Sequence, residues 1–294
     1  MQKMLGNKLL IFVFMAPALF LYSAVIPYPI VKSVVYSFFK WDIVGKLYYV
    51  GLDNFARLFT RDYIFFTALK NTFVFTIGSI LLQIPLAFLL ASVVVRLGKL
   101  TKLFRNVYFL PCTISAAAVS LLWQFIYHPN MGILNTALRG LGLERLTHTW
   151  LADPRFALYA VIVSVAWQWF GYHMVIFLTG ITSVPDSIFE SAEIEGATGF
   201  KMIRYITFPL LKPFVKISLV LITTSSIKAF DNIYVLTGGG PAHASDVLAL
   251  QMYQKAFTQM EYGYGSAISV VLLVLCIALT VILNKLFAQN PVEF

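Results

Sequence analysis

Residues 71–95 read NTFVFTIGSILLQIPLAFLLASVVV and lie between Lys70 and Arg96 without a single charge. A helix needs about 20 consecutive apolar residues to cross a bilayer, so this run of 25 is long enough. Distances between charges locate further runs of the same kind. The expected spans are 9–31, 71–95, 106–128, 156–180, 214–236 and 263–284. The third is cut by His128-Pro129-Asn130, and the fifth is the exception because it carries Lys216, Lys228 and Asp231. Pro17, Pro27, Pro29 and Pro85 fall in the expected spans, where neighbouring helices or water can satisfy the freed backbone groups. The expected fold class is an all-α polytopic membrane protein with six transmembrane helices, read as one membrane domain over residues 1–294.

Composition agrees with this. Of 294 residues, 59% are hydrophobic and 12% are charged, whereas a soluble domain carries roughly 25% charge. The chain cannot cover a water-facing surface, which excludes an ordinary soluble enzyme, a disordered chain and a disulfide scaffold. The net charge of +9 would suggest nucleic acid in a soluble protein. In a polytopic one it reflects Lys and Arg on the cytoplasmic side. Arg96, Lys99, Lys102 and Arg105 crowd one short loop, which therefore belongs inside, as do both termini and the loop 181–206. Cys112 and Cys276 lie far apart in apolar stretches and read as packed thiols.

Residues 185–213 are more than a connector. Pro185 and Asp186 suit a helix start, Ser187 and Glu190 have capping-box spacing, and Gly196 can end the helix in a sharp turn. Glu190, Glu193 and Glu195 place negative charge early in that helix, where its dipole favours it. A second helical piece runs from about Gly199 to Tyr205. Ala192, Gly196 and Ala197 are small and allow another surface to approach. The residues alone fit either an amphipathic hairpin at the membrane surface or a docking knob. A metal site is disfavoured, because the three carboxylates do not share one helical face and no His lies near.

Glu190-Ser191-Ala192, Gly196 and, after nine intervening residues, Ile206-x-x-Pro209 resemble the "EAA" loop of ATP-binding-cassette (ABC) importer permeases. The departures are Ser191 for Ala, Glu195 for Asp and Phe208 for Leu. Leu-Thr-Gly-Gly-Gly-Pro at 236–241 and Val-Gly-Leu-Asp-Asn-Phe at 50–55 complete a pattern that resembles the carbohydrate branch, maltose-type.

The resemblance implies an ABC type I importer permease in a bacterial or archaeal cytoplasmic membrane. It implies a second, similar permease, two ATPase subunits and an extracytoplasmic solute-binding protein. The loop 185–206, with Glu190, Ser191, Ala192, Glu195, Gly196 and Ala197, would dock on an ATPase and transmit its closure, driving alternating access. Glu190 would meet an ATPase arginine. The chain lacks a GxxxxGK[ST] phosphate loop, so ATP and Mg would be held by the partner subunits, with no cofactor on this chain and no nucleic acid among its partners.

Trp169, Tyr172 and His173 lie at i, i+3 and i+4 on one face of the fourth span. Aromatic faces with imidazole, amide and hydroxyl groups suit a sugar. By the same resemblance Tyr172 falls on a sugar-contacting position, Trp169 where the relative has Gly, and Ser226 and Ala229 near further contacts. Trp167 reads equally well as part of an interfacial aromatic belt. Lys228 and Asp231, three apart on the fifth span, can pair. They read as lining of the path, as a helix-locking ion pair or as groups snorkelling to the interface. Gln83 and Gln124 are expected to form interhelical hydrogen bonds.

No catalytic constellation and no metal spacing appear among His128, His148, His173 and His243. An intramembrane glycan-handling enzyme would want carboxylates or a metal cluster at the membrane face. A passive channel would want charged rings or a filter. A glycerol phosphodiester importer would want unpaired cations, for which Lys228 is the candidate.

Overall fold

The computed structural model describes residues 8–41 and 45–287, with side chains from residue 11. The expected cytoplasmic termini lie outside the described residues. The helices, in chain order, are α1 (Lys8–Val25), α2 (Pro27–Tyr36), α3 (Asp53–Thr60), α4 (Tyr63–Val94), α5 (Thr101–Phe109), α6 (Ala116–Ile126), α7 (Ile133–Gly140), α8 (Ala157–Thr182), α9 (Asp186–Ile194), α10 (Phe208–Leu210), α11 (Lys212–Ile227), α12 (Asp231–Leu236), α13 (Leu248–Tyr253) and α14 (Tyr262–Leu286). A two-residue ribbon pairs β1 (Phe39–Lys40) antiparallel with β2 (Tyr48–Tyr49).

The protein is an all-α polytopic membrane protein. Among the described residues four helical stretches are long and apolar enough to cross a bilayer, or five if a pair bent by 67° between Met202–Leu210 and Lys212–Ile227 counts as one span. One of the four, Tyr63–Thr113, turns at Gly98, whose φ of 56° only glycine adopts readily. It therefore comprises α4, the cationic turn and the start of the third span.

Two compact units divide the chain, residues 1–62 with 252–271 and residues 63–251 with 272–294. In the first, Asn54 (of the 50–55 motif) donates to the carbonyls of Ser37 and Phe39 at 2.8 and 3.0 Å, which pins the ribbon to α3. Gly263 allows close backbone approach, since a Cβ there would fall 1.9 Å from the Phe39 carbonyl oxygen. Arg57 pairs with Glu261 at 3.1 Å and lies over the Tyr264 ring, whose hydroxyl donates to Asp62. Much of the apolar surface of α1 is exposed, Phe14 by 74%. Lipid tails are as apolar as that surface, so such exposure costs little in a bilayer.

In the second unit α4 packs along α8. Ala87, Phe88 and Ala91 of α4 meet Met174, Phe177 and Ile181 of α8, with Leu211 and Val215 beside them. Gly180 makes room for α11, since a Cβ there would come within 2.7 Å of Leu211 and Phe214. A second cluster gathers Phe75, Val161, Ile162, Ile233, Val247 and Leu250.

Two expected spans are interrupted. The third, expected over 106–128, runs as α5 and a 3₁₀ turn at Leu110–Thr113, becomes extended at Ile114 (ψ 143°), and resumes as α6 under the cap of Ser115, whose Oγ accepts from Ala118 N. Pro111 supplies the local cause: it lacks an N–H and its ring opposes a preceding turn of α-helix. The fifth, expected over 214–236, ends as α11 at Ile227 and restarts as α12 at Asp231. The first span also runs on beyond residue 31, to Tyr36, with Pro27 opening its second piece.

Candidate functional site

A cavity of about 420 Å³ lies among α4, α6, α8, α11 and α12. Its lining includes Trp169, Tyr172, His173, Ser226, Lys228, Ala229 and Asp231, together with Phe75, Gln83, Phe230 and Asn232. Every substrate-path residue expected from the sequence thus faces one space. On α8, Trp169 and Tyr172 meet edge to face at 6.1 Å, as do Tyr172 and His173 at 5.3 Å. The helical phase presents them together.

Polar groups in this cavity go unmatched. Buried polar groups are ordinarily hydrogen-bonded. Among the described residues, however, the buried His173, 4% exposed, keeps Nδ1 without a partner, and the side chains of buried Gln83 and Ser226, half-buried Tyr172 and exposed Trp169, Lys228 and Asp231 make no hydrogen bond. Gln83 therefore departs from the expected interhelical bond. Gln124 makes one, donating from Nε2 to the Val235 carbonyl at 2.6 Å.

Of the readings open for Lys228 and Asp231, the ion pair is not formed, whereas Arg57–Glu261, Arg155–Asp153 and His243–Asp246 are. The i,i+3 relation presumes a continuous helix, whereas the break puts Lys228 at the C-cap of α11 and Asp231 at the first position of α12. Each charge sits at the helix end whose dipole favours it, and neither needs the other.

The freed carbonyl at the third-span break is satisfied, and side-chain bonds tie it to the fifth. Gln168, 1% exposed, donates from Nε2 to the freed Ile114 carbonyl at 3.1 Å and accepts from Asn232 Nδ2 at 3.1 Å. Asn232 Nδ2 also reaches Ser120 Oγ at 3.3 Å. One turn along, Gly171 lets α5 approach, since a Cβ there would overlap the Tyr108 carbonyl oxygen. Sequence reading missed Gln168 and Asn232. Amides in apolar runs were the available signal, but their partners lie at breaks that only the folded chain reveals.

The hairpin begins with α9, whose N-cap is Pro185, with no side-chain cap bond. The expected Ser187–Glu190 capping box is therefore absent, because Asp186 already lies in the helix and Ser187 is past the cap. The end of α9 is a Schellman turn: Gly196 N donates to Glu193 O at 3.0 Å and Ala197 N to Ala192 O at 2.9 Å, with Gly196 at φ 81°. Glu190, Ser191, Glu195 and Gly196 are exposed and Ala197 is half-buried. Ala192 is turned inward at 6% exposure, so its small side chain serves internal packing and not an outside surface. Ile194 and Phe200, which sequence reading passed over, stand 89% and 74% exposed at the tip.

The glycine loop is held firmly. Asn71 Nδ2 donates to the carbonyls of His243, Ala244 and Asp246, Leu248 N donates to Thr72 Oγ1, and Ser245 Oγ bonds Thr237 and Gly240. Gly238 and Gly239 take φ of 61° and 88°, as such turns need.

These features define a class: a polytopic permease whose interrupted spans surround a polar cavity, with a helical hairpin beneath. The family model for the binding-protein-dependent transport system inner membrane component matches residues 83–290, and the chain belongs to that family. It is the membrane-spanning permease subunit of a binding-protein-dependent ABC importer and not itself an enzyme. It is 36% identical to the probable ABC transporter permease protein YurN of Bacillus subtilis (strain 168), over 98% of this chain and 99% of that one. It is 31% identical to the lactose transport system permease protein LacF of Rhizobium radiobacter, over 91% and 90% of the two chains. The fold matches a bacterial ABC transporter involved in the import of the acidic polysaccharide alginate, with a TM-score of 0.84, 24% identity and 98% of each chain covered.

Proposed function

We propose that this subunit carries a sugar or oligosaccharide through the cavity lined by Trp169, Tyr172 and His173. The observation that carries the reading is the set of polar side chains facing that cavity without a protein partner. They offer donors and acceptors to hydroxyl groups, and the aromatic rings offer faces to C–H surfaces. The lactose relative supports a saccharide. A second reading, an anionic polyol such as a glycerol phosphodiester, is favoured by Lys228, whose ammonium meets no carboxylate among the described residues.

In this proposal the chain works beside a second permease, two ATPase subunits that hold ATP and Mg, and an extracytoplasmic binding protein. All its helices form one membrane domain of six spans with both termini cytoplasmic. Residues 185–206 rest in an ATPase groove, with Glu190 and Glu195 as the charged rim, Ser191, Gly196 and Ala197 allowing close approach, and Ile194 as an apolar anchor. Closure of the ATPases moves the hairpin and switches the cavity between the two sides.

The test is co-purification with the neighbouring gene products, followed by a sugar panel for stimulation of ATPase activity in proteoliposomes. One sugar class should stimulate, and Tyr172→Ala should remove that stimulation with assembly intact. Stimulation by glycerol phosphodiesters and no sugar would favour the second reading. Solute-specific flux from a preparation without any ATPase would overturn the docking role.

A further inference from the structure

Both interruptions of the spans lead to one side chain. An interrupted helix at membrane depth leaves backbone carbonyls that lipid cannot satisfy. The Ile114 carbonyl, at the break of the third span, takes its hydrogen from Gln168 Nε2 at 3.1 Å. The other end of the same amide, Oε1, takes a hydrogen from Asn232, the second residue after the break of the fifth span, at 3.1 Å. Asn232 continues to Ser120 on α6 at 3.3 Å. Gln168 is 1% exposed and lies beside Trp169 of the cavity wall, and Ala116 and Asn232, next to the two breaks, also line that cavity.

The amide group suits this position. It carries a donor and an acceptor on the two arms of one carbon, so a single planar group addresses both breaks at once. Gly171, lacking a Cβ, lets α5 come close enough for the contact to Ile114 to form. Without the bridge, α6 and α12 keep the bonds of Gln124 to Val235 and of Asn232 to Ser120 but lose the hydrogen bonds through which α8 holds both breaks.

We propose that Gln168 is a positioning residue for translocation: it clamps the broken third and fifth spans to the fourth, so that the walls of the cavity change position as one body. The proposal rests on the reading of that cavity as the solute path. Its test uses no solute, so the two can fail separately.

The experiment measures distances in the assembled transporter in proteoliposomes, with Mg-ATP and vanadate as the probe of the switched state. Cys112 and Cys276 are first replaced by serine. Spin labels are placed at Tyr159→Cys on α8 paired with Leu121→Cys on α6 or with Tyr234→Cys on α12, all exposed positions. With Gln168 intact, both distances switch together on trapping. Gln168→Met, of similar length and without hydrogen-bonding groups, should shift the conformer ratio at both breaks by about fivefold or more. Asn232→Ala removes the fifth-span leg, together with the weak contact to Ser120, but keeps Gln168 on Ile114. It should loosen the α12 distance and leave the α6 distance near that of the parent. The double variant should loosen α12 by less than the sum of the two single changes, because both remove the Gln168–Asn232 bond, with the remainder set by the Asn232–Ser120 contact. If Gln168→Met fails to assemble, the Asn232→Ala contrast still decides. Equal loosening of α6 and α12 in Asn232→Ala, or unchanged distances in either variant, overturns the proposal.

Discussion

The central cavity and the glycine loop are both rich in polar side chains, and they treat them in opposite ways. In the loop, one Asn71 amide serves three carbonyls, Ser245 and Thr237 bond each other, and His243 meets Asp246 at 3.0 Å. In the cavity, the side chains of Gln83, Tyr172, Lys228 and Asp231 and Nδ1 of His173 make no hydrogen bond among the described residues. Satisfied networks hold a shape, whereas a buried unsatisfied group such as His173 Nδ1 carries a standing desolvation cost that a ligand can relieve, and the exposed Lys228 and Asp231 stay open to one. The difference separates polar residues kept for architecture from those kept for cargo.

Breaking the loop should produce the largest effect. Asn71→Leu removes the donor shared by three carbonyls, of which the contact to Asp246 is buried, and leaving such a buried group unsatisfied costs about 1–3 kcal/mol. Thermal unfolding of the purified complex should show a marked loss of stability. A variant with unchanged melting that lost only transport would reverse the comparison. On the cavity side, Tyr172→Ala should lower uptake by about tenfold or more, as loss of an aromatic anchor does, while melting stays close to that of the parent. Melting that fell as far as for Asn71→Leu would make Tyr172 architectural.

The hairpin sharpens the same distinction, because Gly196 has open space for a Cβ but a φ of 81°. Gly196→Val strains the turn by about 1–2 kcal/mol, and solute-stimulated ATPase activity should drop several-fold. Gly196→Asn, which tolerates that φ, should retain most of it. Equal losses in the two variants would point to something other than backbone conformation.

The smallest effect concerns Asp153, a half-buried loop residue away from the cavity and the hairpin. Hydrogen bonds from the Arg155 side chain and backbone hold its carboxyl down to about 2, against an ordinary 3.8. A depressed carboxyl stabilises the fold above its unfolded pKa and loses that contribution as pH falls toward 2. Arg155→Ala should move the titration upward without altering transport. A transport defect at neutral pH would mean that this surface contacts a partner.

Long spans were legible in the sequence because α4, α8 and α14 run unbroken through nearly all of the long uncharged stretches 71–95, 156–180 and 263–284. The cavity-lining face of α8 was legible because 169, 172 and 173 obey a helical period. The interruptions were harder to read. Ala116–Ile126 continues an apolar run, and Pro111 and Ser115 are weak punctuation inside it. The fifth span has no proline or glycine between Phe214 and Leu236, so a continuous helix was assumed, and Lys228 was placed within reach of Asp231. The inward turn of Ala192 and the absent cap on Ser187 depend on where α9 starts and how it packs, which local spacing leaves open.

Gly171 and Gln168 share one face of α8, while Trp169, Tyr172 and His173 occupy the adjoining one. The division makes the fourth span a natural place for specificity to diversify. Changes at 169 or 172 could retune which cargo is admitted, while the neighbouring positions preserve the moving parts. A designer wishing to redirect this transporter to a new solute would randomise one stripe of that helix and leave the other untouched.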